Sequence, residues 1–123
     1  MYSDLSQLAQ QLARSQFRSK FHLGKKESDY LLTKGLPTIL SHGRDFIRQR
    51  LAAAHPFKDG RQTPWAGHPV FIAQHATATC CRSCLEKWHH IKKDRALTDA
   101  EQAYILSVIE YWLNQQLTTH HPI

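Results

Sequence analysis

With 123 residues, 41% of them apolar and 21% charged, the chain can bury a core without disulfide staples and does not have the composition of a disordered protein. It has no apolar run of the roughly 20 residues needed to span a bilayer, and its early acid and glutamines do not make a secretion signal, so a cytoplasmic protein with no membrane partner is expected. The formal net charge of +6 sits in the first three quarters of the chain, which is where an anionic partner would bind.

Leu5, Leu8, Ala9, Leu12 and Ala13 recur at helical spacing behind Ser3 or Asp4 as cap, and predict an N-terminal helix within residues 1–16, peripheral to a body over 17–117. A second helix is expected over residues 27–34, stopped by Gly35. Pro37 suits a first helical turn, and Leu36, Ile39, Leu40, Gly43, Phe46, Ile47 and Leu51 then mark a long amphipathic helix, with Arg44 and Arg48 on its other side. Residues 55–68, HPFKDGRQTPWAGH, break the pattern and predict one long polar loop. Loops of that length in compact domains are more often functional than idle.

The apolar run Val70, Phe71, Ile72 and Ala73 is too short to tell a strand from a buried helix. Thr77 or Thr79 can cap a helix running to about residue 88. Thr98 and Glu101 form a capping box that opens a final helix with Ile105, Val108, Ile109, Trp112 and Leu113 on one face. His120 and His121 read as a frayed tail. The expected architecture is mainly α: one small domain over 1–123, with four to five helices, one long polar loop and a His/Cys-rich segment.

Three cysteines, two of them adjacent, do not make a disulfide framework and point to reduced thiols. The stretch GHPVFIAQHATATCCRSCLEKWHH gathers His68, His75, Cys80, Cys81, Cys84, His89 and His90 within 24 residues. Thiolate and imidazole together suit zinc. Cys81 and Cys84 have the spacing of half a zinc site, and with no second CxxC, histidines must complete it. In a regular helix Cys80 and Cys81 would diverge by about 100°. The expected ligands are therefore Cys84, one or both of Cys80 and Cys81, and His75, with His68 or His89 completing the set. Buried free cysteines acting as small hydrophobes are the plain alternative. A third reading places Cys80 and Cys81 in the first turn of a helix, where its dipole stabilises a thiolate and His75 takes the proton.

Asp59, Arg61, Gln62 and Thr63 are groups that orient a ligand, and Trp65 offers a stacking surface; the alternative is a surface loop with Trp65 covering the core. Amides around Gly60 and Gly67 can approach an anion. Arg14, Arg18, Lys20, Lys25 and Lys26, interleaved with Phe17 and Phe21, could bind a single-stranded nucleic acid through phosphate contacts and stacking. Solvated helix ends with the phenylalanines in the core are the competing reading.

The stretch DGRQTPWAGHPVFIAQHATATCCRSCLEKWH, with FRSKF upstream and LTDAEQAYILSVIEYW downstream, resembles an uncharacterised bacterial family of domains of unknown function. The resemblance runs from about residue 17 to 117 and centres on the GHPVFIAQHATATCC core. It implies a common setting for the polar loop and the His/Cys segment, and no activity or catalytic residue.

The functional expectation is a small helical domain that binds zinc, with a nucleic acid or another polyanion as partner. One rival is an enzyme in which a Cys thiolate or a metal-bound water acts on an anionic substrate held by Asp59, Arg61 and Gln62. The other is a protein-interaction module with a structural Cys/His cluster.

Overall fold

The computed structural model describes residues 1–120, with side chains through Thr118. Within them the chain forms seven helices and no strand: α1 (Leu5–Ala13), α2 (Gln16–Ser19), α3 (Lys25–Lys34), α4 (Leu36–Arg50), α5 (Pro69–Ala76), α6 (Arg82–His89) and α7 (Asp99–His120). His120 closes α7 by its backbone; its side chain, and all of His121, lie outside the described residues.

Local sequence explains most of the boundaries. Asp4 caps α1 by accepting from the Ser6 amide at 3.0 Å. Gly35, at φ 85°, ends α3 and opens α4, a backbone setting that favours glycine. Thr98 and Glu101 make the reciprocal capping box of α7, at 3.0 and 2.9 Å.

The helix count exceeds the four to five expected because of α2 and α5. α2 is a single turn, too short for apolar periodicity to register, and is capped by Ser15. α5 is buried at every one of its eight positions, so it has no polar face and no amphipathic pattern. The ambiguous run 70–73 is its middle.

α4, α5 and α7 pack against one another around Ile39, Ile47, Leu51, Val70, Ala73, Ile105, Ile109 and Leu113. Each fully buried aliphatic side chain contributes roughly 1.5–3 kcal/mol from its removal from water. Gly43 lets α4 approach closely: a Cβ there would lie 3.1 Å from Leu106 Cδ1 and 3.4 Å from Val70 Cγ2. A second cluster joins Leu8 and Leu12 of α1 to Ala78 and Val108, with Cys84, Trp88 and Tyr104 packed against it.

A buried arginine ties the connections together. The Arg82 side chain, 1% exposed, donates to the carbonyls of Ala53 (2.6 Å), Leu51 (3.4 Å), Lys92 (3.0 Å) and Arg95 (2.8 Å). It thereby joins the end of α4 to the segment between α6 and α7. No helix among the described residues is long and apolar enough to cross a membrane.

Candidate metal centre

The turn after α5 sets the site. The Thr77 amide donates to the Ala73 carbonyl and the Thr79 amide to the Gln74 carbonyl, both at 2.9 Å, with Ala78 at φ 60°. This left-handed closure satisfies the last carbonyls of α5 and reverses the chain. The next helix therefore does not start at Thr77 or Thr79. Its cap is Cys81, whose extended backbone lets Sγ accept from the Cys84 amide at 3.4 Å. Cys80 and Cys81 thus lie ahead of α6, outside its first turn, and the 100° divergence expected inside a helix does not apply.

All three sulfurs converge within 4.8 Å of one another, and this is the group among the described residues able to hold a metal ion. Cys81 Sγ lies 3.1 Å and Cys80 Sγ 3.6 Å from Cys84 Sγ. Around a tetrahedral zinc, sulfurs at about 2.3 Å from the metal stand about 3.8 Å apart. Small rotations would reach that spacing.

Arg18 of α2 closes the cluster. Its guanidinium donates from Nη2 to Cys84 Sγ (3.2 Å), and from Nη1 to Cys80 Sγ (3.6 Å) and the His75 carbonyl (2.7 Å). Hydrogen bonds from Cys80 and Cys81, then the charge and hydrogen bond of Arg18, hold the Cys84 thiol far below its usual range. Cys80 is pushed up by its hydrogen bonds to Cys81 and Cys84 and by burial. The Cys80 hydrogen bond lowers Cys81, but its bond to Cys84 and burial raise it overall. The arrangement is one thiolate served by two thiols and an arginine.

His75 stands beside the cluster but not within it. Its Nε2 donates to the carbonyls of Thr63 (3.2 Å) and Pro64 (3.0 Å), which leaves Nδ1 as an unprotonated, buried atom without a hydrogen-bond partner. The ring is stacked against Trp65 at 4.0 Å and Phe21 at 5.7 Å. Burial lowers its pKa despite the two carbonyls.

The structure employs His68 and His89 elsewhere. His68 caps α5: Nδ1 accepts from the Val70 amide, so Nε2 carries the proton and donates to His42 Nδ1, each at 3.0 Å. His89 donates from Nε2 to the Thr77 carbonyl (2.8 Å) and accepts at Nδ1 from the Tyr104 hydroxyl (2.7 Å). Neither ring has a free nitrogen, and neither joins the sulfur group.

The polar loop divides in the same way. Asp59 Oδ1 accepts from Gln62 Nε2 (2.8 Å) and the Arg82 amide (3.2 Å), and Gln62 Oε1 accepts from the Gly60 amide (2.8 Å). Thr63 donates to the Cys80 carbonyl at 2.8 Å. Asp59, Gln62 and Thr63 therefore fasten the loop over the start of α6. Arg61 and Trp65 remain exposed and, with Arg18, His75 and the three cysteines, line a cavity of about 370 Å³. A more apolar cavity of about 270 Å³, lined chiefly by α1 and α7, also borders Arg18.

Sequence reasoning placed Arg18 in a basic stretch and missed its contacts with Cys80 and Cys84, 62 and 66 residues away. No local signal marks such contacts. The family model described as Domain of unknown function (DUF4186) matches residues 6–114. The chain belongs to this family. The match takes in all of α1 but its first residue and runs through most of α7, including every side chain of the cluster. No solved structure matches the chain.

Proposed function

We propose that Cys80, Cys81 and Cys84 hold one zinc ion, with its fourth position open to the cavity beneath Trp65 and Arg61. The observation that carries this reading is the convergence of three sulfurs against a buried arginine. Three thiolates around a divalent ion carry net charge −1, and Arg18, 9% exposed, supplies the compensating charge and orients two of the sulfurs. The all-sulfur donor set suits a borderline-soft ion and not magnesium or calcium. Zinc with three protein ligands and one exchangeable position is the catalytic form of such a site, and an anionic ligand would meet Arg61 there. Reduced thiols fit a cytoplasmic setting.

A second reading has one specific support: Arg18 favours the thiolate of Cys84, with Cys81 Sγ 3.1 Å away. On that reading Cys84 is a nucleophile. Metal content by mass spectrometry on protein purified without chelator, with a parallel thiol titration, separates the two. About one zinc per chain with protected thiols supports the zinc site. No metal and three freely reacting thiols would discard it in favour of the thiol reading.

A further inference from the structure

We infer that the face around the polar loop is a platform for single-stranded nucleic acid, bound without sequence preference by base stacking on Phe57 and Trp65 and by phosphate contacts to the cations between them. The metal reading is not needed for this; the surface carries the argument. Phe57 is 85% and Trp65 63% exposed, the two most exposed of the large apolar side chains. At that exposure Phe57 forfeits the burial that makes such a ring useful in a core, while Trp65 is stacked on His75 and still presents most of its surface to water.

The two rings belong to one continuous surface. Arg61 lines both the cavity bordered by Trp65 and the neighbouring depression bordered by Phe57, Lys58 and Arg50. On the far side Phe17 meets Trp65 edge-on at 6.2 Å, and Lys20 lies 4.7 Å over Phe17. Lys20, Arg61, Lys58 and Arg50 thus alternate with aromatic rings along the face. The nearby acid, Asp59, has its carboxylate committed to Gln62 and the Arg82 amide. Cations interleaved with exposed rings match a strand whose bases are unstacked and whose phosphates run alongside. A duplex hides its base faces and would use only the charges.

The test is fluorescence anisotropy of a labelled oligothymidylate of about 15 nucleotides, within the length such surfaces occupy, titrated with the full chain over a range of salt. Binding should weaken as salt rises, with a log–log slope of about −3 if four cations each neutralise a phosphate. Phe57→Ala should weaken binding about fivefold or more, as loss of one stacked base predicts. Arg61→Ala should make the salt slope shallower by about 0.7. Phe57→Ala is the decisive variant, because Trp65 also stacks on His75 and its removal could disturb the fold. The inference is overturned by absence of binding at low salt, or by unchanged affinity of Phe57→Ala. Heparin of matched charge competing as well as the oligonucleotide, or preferential binding to anionic phospholipid vesicles, would also overturn it.

Discussion

The guanidinium of Arg18 lies 3.2 Å from Cys84 Sγ, joining a one-turn helix near the start of the chain to a cysteine 66 residues later. The same group reaches Cys80 Sγ and the last turn of α5 through the His75 carbonyl. Arg18 therefore ties α2 to the end of α5 and to the segment that carries the sulfurs. A planar fork with several fixed donors can serve three acceptors at once; a lysine ammonium on a flexible stem cannot hold that geometry.

If the cysteines hold zinc as proposed, Arg18→Met should weaken its affinity by about 10–100-fold, the usual cost of losing a group that orients metal ligands. Competition with a chromophoric chelator measures it. Arg18→Lys should recover the charge but only part of the affinity. Equal affinities for wild type and Arg18→Met would mean that the arginine plays no part in metal binding.

Arg82 makes the corresponding case for stability. Its removal as Arg82→Ala takes the donor from four carbonyls, that of Leu51 buried and those of Ala53, Lys92 and Arg95 part-buried. A cost of about 3 kcal/mol or more is expected, which is a large share of the roughly 5–15 kcal/mol that holds a domain of this kind folded. Urea unfolding of wild type and variant would show it as a fall in midpoint with an unchanged slope. A loss under about 1 kcal/mol would mean that water replaces the guanidinium at little cost.

What the sequence displayed and what it concealed follow from range. The caps at Asp4 and Thr98, the stop at Gly35 and the faces of α4 and α7 are local patterns, and they stand in the structure as read. The convergence of Cys80, Cys81 and Cys84 was legible as a cluster of ligand types, but its geometry was not. That geometry depends on the left-handed turn at Ala78, where nothing local calls for a residue of positive φ. The tasks of His68 and His89 were hidden for a different reason. His68 caps its own helix through the Val70 amide, a task that histidine seldom takes. Its other partner, His42, like Tyr104 for His89, lies on another helix, of which helical periodicity carries no record.

Those two histidines give the protein a definite response to acid. Burial, first of all, lowers the pKa of His89 to about 4; the same cause, then the charges of His42 and Arg50, lowers His68 to about 4. Both are neutral in the fold at pH 7, and both are wired for neutrality, since His89 Nδ1 accepts from Tyr104 and His68 Nδ1 accepts from the Val70 amide. An unfolded histidine titrates near 6.5. The unfolded chain therefore binds protons first as the pH falls, so the stability these rings contribute is intact above about pH 6.5 and is lost progressively toward about pH 4. For His89, which is fully buried, the loss is on the order of 1–3 kcal/mol. Urea midpoints at pH 7, 5.5 and 4.5 should fall in that order for wild type. His89→Gln should be less stable at pH 7 but should lose less on acidification. Release of any metal held by the cysteines would act on both proteins alike and cancel in the difference. Parallel pH profiles for the two proteins would show that His89 is not one of the groups through which acid destabilises the fold.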